Sequence, residues 1–252
     1  MDTIPDHHTP ALKGNLQQCQ NYRTISLISH PNMAMLKMLL NRLKPQGEII
    51  AEEQTGFRAG RSAIEQLFNF RILCERYLQH HLYHVFVDFK KVFDRVCHAA
   101  LWATLRLNNI NANLIRVIVH LDDKATSTVY FNYSIGAGFS TIVGLRKGRL
   151  FSPSLFNIFL ERIMANALED CIGTVNIGGR TFTNLRFADE IDGLAGGEEL
   201  ANLVERFRYN IDSLRDADQC RKDQTDDKQH QRHQLKYQTD AHLGHIHIIA
   251  RL

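Results

Sequence analysis

The chain has 252 residues, of which 44% are hydrophobic and 23% charged, with a formal net charge of +3 at pH 7. That balance excludes a wholly disordered, collagen-like or disulfide-scaffold chain, and no stretch approaches the ~18–20 consecutive apolar residues of a membrane-spanning helix. The opening MDTIPDHHTPALKGN has neither a basic leader nor an apolar run, so the protein is expected to be intracellular, in cytoplasm or nucleus, and not secreted. Five cysteines (Cys19, Cys74, Cys97, Cys171, Cys220) are scattered and never spaced as C-x-x-C, which reads as ordinary thiols without a disulfide framework or zinc site. The pI near 8.6 permits a nucleic-acid partner without establishing one.

In chain order, Pro31-Asn32 precede an expected helix over 33–44 that Pro45 stops. Ser62 with Glu65 three residues on forms a capping box for a helix to about Leu78. His84-Val85-Phe86-Val87-Asp88 reads as a short strand, apolar on both faces and therefore central in a sheet. Helices are expected over 97–108 and 112–122, then a hairpin in which TSTVYFN and FSTIV flank a loop over 132–138. Ser154 to about Ala167 reads as a buried helix. Strands TVNIGG and RTFTNLRF turn at Gly178-Gly179, and a last helix over 197–212 carries Leu200, Leu203, Val204 and Phe207 on one face. The pattern is mixed α and β, without repeats of fixed period.

The chemistry sits at the strand ends. Asp88 closes one apolar strand, and Asp189-Glu190 lie between LRF and IDGLAG, at a turn if those two pair. Acids beside a buried sheet are costly unless compensated. A pair of Mg²⁺ ions, held by few carboxylates plus substrate phosphates, is one compensation. Solvation of plain turn acids is the other, and spacing alone leaves both open.

Five blocks go further: NYRTISL at 21–27, QTGFRAGRS at 54–62, VFVDFKKVFD at 85–94, GLRKGRLFSPSLFN at 144–157 and LRFADE at 185–190. As an ordered set over about residues 13–205 they resemble the polymerase core of reverse transcriptases, those of non-LTR (LINE-type) retrotransposons in particular. The resemblance implies an α+β fold, a right-hand polymerase palm and fingers with an antiparallel palm sheet and packed helices, the thumb missing. The implied division is an N-terminal remnant over 1–19, fingers over 20–83, palm over 84–214 and a tail over 215–252. It also implies RNA-directed DNA synthesis from an RNA template, a DNA primer and deoxynucleoside triphosphates, with Mg²⁺ or Mn²⁺ as cofactor. Carried over residue by residue, Asp88, Asp189 and Glu190 are the catalytic acids and, with the Phe89 carbonyl, the metal ligands. Arg23, Phe93 (a sugar gate) and Lys147 are nucleotide contacts, and Arg58 and Arg61 nucleic-acid contacts.

This sequence departs from the family pattern at Glu190, where a second aspartate is expected, and at Lys147, where a glutamine is. Val92 and Tyr133 likewise stand in for a small alanine and a turn glycine. One extra methylene at Glu190 must fit a near-octahedral metal site. The alternatives to a polymerase are a non-catalytic nucleic-acid-binding relic, with Lys37, Arg42, Lys44, Arg58 and Arg61 on phosphates, and a product without selected function.

From Arg215 the text has no Phe, Val, Trp or Met and five of the thirteen histidines (His230, His233, His242, His245, His247), without standard zinc spacing. Such a composition is expected to be disordered. Back-translated from Asp216 with permitted codons and shifted one base, it gives MQISAEKTKLMTN, similar to the family's next block G-x-x-I-x-x-x-K-T-K. The tail is therefore expected to be out-of-frame text after a frameshift between about Arg206 and Ser213, in a truncated polymerase.

Overall fold

Leu82 to Val87 are apolar or, like His84, paired internally, so they have no polar face to turn to solvent; with Asp88 exposed at the end they form the strand around which the protein is built. The structure is a computed structural model and describes residues 26, 28–43, 49–77, 82–89, 91–123, 126–131, 133–140, 143–169, 171, 173, 175–177, 179–196, 199–213 and 246–251. In chain order the elements are α1 (His30–Leu43), α2 (Ala63–Tyr77), β1 (Leu82–Asp88), a 3-10 turn (Val92–Arg95), α3 (His98–Leu107) and α4 (Ala112–Asp123). Then come β2 (Thr126–Ser127), β3 (Tyr130–Phe131), β4 (Ser134–Ile135), β5 (Phe139–Ser140) and α5 (Ser152–Leu168). β6 (Val175–Ile177), β7 (Arg180–Phe182), β8 (Asn184–Phe187), β9 (Glu190–Gly196), α6 (Leu200–Ser213) and β10 (Ile246–Arg251) complete it.

The main sheet has the order β10-β1-β9-β8 and is antiparallel at every pairing. Side chains alternate across it. Val85, Val87, Ile191 and Ala195 point into the larger core with Leu101 and Leu105 of α3, Phe156 and Phe159 of α5, and Leu203 and Phe207 of α6. On the other face Leu82, Leu185 and Leu194 meet Leu73 of α2 and Val175 of β6. α2 begins as its capping box predicts, with the Glu65 N–H donating to Ser62 Oγ at 3.2 Å. α5 is buried nearly all round, which fits its continuous apolar text. Gly193 lies under Phe207, whose ring would come within 2.9 Å of a Cβ there, so β9 and α6 pack without room for a side chain between them.

The α2-facing side also buries a polar pair. His84 Nδ1 lies 2.9 Å from Asp192 Oδ2, and the two residues are 2% and 7% exposed. Burial pushes the Asp192 carboxyl above its ordinary value, with the His84 hydrogen bond and charge opposing. A carboxyl raised in the folded state contributes most below its unfolded pKa, and that contribution is lost as pH rises through the folded one. His84→Ala strands the carboxylate, so it is expected to destabilise by about 3 kcal/mol at neutral pH and by clearly less at a pH acid enough to protonate Asp192. Urea denaturation at the two pH values checks this, and an equal loss at both would contradict it.

Three expectations need correction. The loop expected over 132–138 is itself a small hairpin: β3 pairs β4 inside the β2–β5 pair, and Tyr133 turns it at φ +58. Cys97 is disulfide-bonded, where all five cysteines were expected to be thiols; Cys74 and Cys171 are free. The end of the tail is a strand, not disorder: Ile246–Arg251 pairs β1 from Val87↔Ile246 to Tyr83↔Arg251. Composition averaged over the tail hides the β-branched run IHIIAR, and an uncovered edge of β1 would leave a row of backbone groups seeking partners. The N-terminal remnant over 1–19 and residues 214–245, where most of the disorder and frameshift readings fall, lie outside the described residues.

Candidate active site

The hairpin β8–β9 closes with Phe187 opposite Glu190, leaving Ala188-Asp189 as a two-residue turn. On its other side Glu190 is the register partner of Asp88 in β1. All three acids therefore stand at one end of the sheet, Asp88 and Glu190 exposed and Asp189 half-buried. By alternation Asp88 and Glu190 share the face that carries His84 and Asp192, away from the helices α3, α5 and α6. Register partners sit side by side on one face, and two like charges so placed repel by ~0.2–1 kcal/mol. Solvent or a bound cation can offset that repulsion. The donors are hard oxygens, which fits Mg²⁺ or Mn²⁺ chemistry. The expected ligand set of Asp88, Phe89, Asp189 and Glu190 is assembled only by backbone register, because among the described residues no three His, Cys, Asp or Glu side chains are gathered closely enough to hold a metal ion.

The 51–58 segment, on the fingers side in the sequence reading, fixes the hairpin from outside the sheet. Gln54 bridges Arg186 of β8 in parallel, with the Thr55 N–H donating to the Arg186 carbonyl at 3.0 Å and the Arg186 N–H to Glu53 at 2.9 Å. The Arg186 guanidinium, 2% exposed, forks onto Glu161 of α5 at 3.2 Å to each oxygen, and Glu161 also accepts the Ala51 N–H. Gln54 itself reaches the turn. In the sequence Gln54 is one residue of the QTGFRAGRS block, and its contact 134 residues away has no periodic signature.

The other expected residues are placed as follows. Phe93 is half-buried, its ring 4.6 Å from Phe156 and edge-on to Phe57 at 6.0 Å. Lys147 Nζ pairs with Asp94 at 3.1 Å, and the Lys147 carbonyl accepts the Ser26 N–H at 2.8 Å. This contact brings the segment after Arg23 beside the Lys147 loop; Arg23 lies outside the described residues, as does Lys44. Lys37 and Arg42 are exposed on α1. Arg58 donates through Nη1 to the carbonyls of Ala51 at 2.8 Å and Gln54 at 3.1 Å, and pairs with Glu52. Arg61 pairs with both Glu52 and Glu65. Near Lys147, burial and then the neighbouring Arg149 lower the Arg146 guanidinium from its ordinary value, while Arg149 is tied to Asp122.

A strand-end acid opposite a hairpin that carries two more, on an antiparallel sheet backed by helices, defines the palm of a right-hand polymerase. The reverse transcriptase (RNA-dependent DNA polymerase) family matches residues 7–217, and the chain belongs to it. Among its relatives are the transposon TX1 uncharacterized 149 kDa protein of Xenopus laevis, 28% identical over 65% of this chain and 13% of its own length. Another is the retrovirus-related Pol polyprotein from the type-1 retrotransposable element R2 of Popillia japonica, 25% identical over 71% and 25%. A third is the probable RNA-directed DNA polymerase from transposon BS of Drosophila melanogaster, 29% identical over 56% and 16%. These similarities make it a reverse transcriptase domain of the non-LTR retrotransposon type, and one that spans a quarter or less of those relatives. The fold is also that of telomerase from Candida albicans, solved with a fragment of telomeric RNA, at TM-score 0.53 and 12% identity over 73% of this chain and 32% of that one. No described helix is long and apolar enough to cross a membrane.

Proposed function

We propose that this domain carries an RNA-templated DNA-synthesis site at the β1/β8–β9 end of the palm, extending a DNA primer with deoxynucleoside triphosphates. One observation carries the reading: Asp88 faces Glu190 directly, with Asp189 in the adjoining turn. Asp88, Asp189, Glu190 and the Phe89 carbonyl would hold the divalent ions. When bound, those ions supply Lewis-acid activation of the primer hydroxyl and charge neutralisation at the leaving pyrophosphate. Phe93, braced by Phe57 and Phe156, gives a rigid wall against a ribose 2′-hydroxyl. Lys147 and Arg23 meet the triphosphate, and an anion there would also relieve the crowding of Arg146 against Arg149. The reaction belongs inside the cell, where its templates and nucleotides are.

A second reading, a nucleic-acid-binding domain without catalysis, is favoured by the ungathered acids and by Lys147 being held on Asp94. Primer extension on an RNA template with Mg²⁺ or Mn²⁺ separates the two. Ion-dependent, template-directed product supports the polymerase; tight binding with no product in either ion supports the relic. In both, affinity for an RNA–DNA hybrid is expected to fall linearly with salt on logarithmic axes. Arg61, the more exposed of the two fingers arginines, is the phosphate contact of that pair, so Arg61→Ala should lower the slope by about 1. An unchanged slope would leave Arg61 with only its ion pairs. Arg58 contributes through the loop it braces.

A further inference from the structure

We propose that Gln54 is a positioning residue for the acid-bearing turn: its side-chain amide grips both backbone groups of Ala188 and so sets where Asp189 stands relative to Asp88. The geometry is independent of the polymerase reading, while the catalytic consequence rests on it. Gln54 is 1% exposed. Its Nε2 donates to the Ala188 carbonyl at 3.0 Å, and its Oε1 accepts the N–H of Ala188 at 2.9 Å and of Gly56 at 2.8 Å. A side chain thus gives the turn the double bonding that a neighbouring strand would give.

The turn needs such a hold. Ala188 sits at φ +57, in the left-handed region, which costs a Cβ-bearing residue ~1–3 kcal/mol and persists only where the surroundings impose it. Two-residue hairpin turns usually place Gly, Asn or Asp at such positions. Glu190 is fixed to Asp88 by sheet register, whereas Asp189 follows Ala188 directly, outside the ladder. The conformation at Ala188 therefore decides how one acid is presented to the other two. The grip is itself braced, by Arg58 Nη1 on the Gln54 carbonyl at 3.1 Å and by Asn157 Nδ2 of α5 on the Gly56 carbonyl at 2.9 Å. Fingers-side segment and palm turn are held as one unit.

The test uses the full chain with Gln54→Leu, which keeps the reach without polar atoms, and Gln54→Glu, which keeps the acceptor and loses the donor. Three quantities are read: hydrogen exchange at the Ala188 amide, melting temperature, and extension kinetics with the nucleotide varied. For Gln54→Leu the Ala188 amide should exchange at least ~10-fold faster, and kcat should fall ~10–100-fold with the nucleotide KM within ~3-fold of the unsubstituted chain, because misplacement of about 1 Å costs that much. Gln54→Glu should fall between the two, and it decides the matter if Gln54→Leu does not fold. An unchanged Ala188 exchange rate, an unchanged kcat, or a kcat loss only in step with nucleic-acid affinity and melting temperature would overturn the proposal. If the unsubstituted chain extends no primer, it is the polymerase reading that fails, and the exchange rate still confirms or refutes the grip.

Discussion

Replacing Gly56 with alanine is expected to remove RNA-templated extension, by ~10²-fold or more, while leaving most of the sheet folded. A Cβ at position 56 would lie 2.0 Å from the Ala188 nitrogen and 2.6 Å from its Cα. Both are backbone atoms, so no side-chain rotation relieves the contact, and the turn itself must move. Gln54 resists that movement through its bonds to the same two residues. The clash is steric and local, of the kind that costs ~1–3 kcal/mol when extra volume enters a packed site. Circular dichroism should therefore show a folded protein with a lowered melting temperature and no product on an RNA template. A Gly56→Ala protein that extends normally would mean that the turn is not where the chemistry happens.

The second large effect has opposite signs in function and in stability. Asp88→Asn should cost extension ~10³-fold or more, because the proposed ion site would lose one of its three acids, the one that faces the hairpin. In chelator the same substitution should raise stability by ~0.2–1 kcal/mol, because it removes a like-charge partner directly across from Glu190. Added Mg²⁺ should then stabilise the unsubstituted chain and leave Asp88→Asn unmoved. Thermal melts with chelator and with Mg²⁺, read beside primer extension, check all three. A variant that is less stable in chelator would show that Asp88 is held by the fold and not strained against Glu190.

What could be read from the sequence was what is local. Val85-Phe86-Val87 declares a buried strand and so places Asp88 at its end; Ser62 and Glu65 announce the start of α2 and cap it as expected. Leu200, Leu203, Val204 and Phe207 pack against the core as one face of α6. The resemblance added the pairing of Asp88 with the Asp189-Glu190 hairpin, which neither strand shows alone. The rest depends on distance along the chain. Gln54 looks like an ordinary loop amide until β8 comes beside it, and the strain at Ala188 is invisible because alanine carries no turn signature. The resemblance makes Arg58 and Arg61 nucleic-acid contacts without showing their carboxylate partners; the i,i+4 spacing of Arg61 and Glu65 was the available signal for that pairing. The strand Ile246–Arg251 was missed because a six-residue β-former was averaged into a polar tail, and its partner, the edge of β1, exists only once the sheet has formed.

The proposed divalent-ion site of Asp88, Asp189 and Glu190 at the end of the palm sheet can be located directly by cleavage. Iron(II) substituted for Mg²⁺, with ascorbate and peroxide, cleaves backbone close to where the ion is bound, and it reads the site's position without requiring turnover. The expected result is cutting near residue 88 and at the 188–190 turn, suppressed by excess Mg²⁺ and lost in Asp88→Asn. Cutting elsewhere, or cutting at the turn that survives Asp88→Asn undiminished, would contradict it.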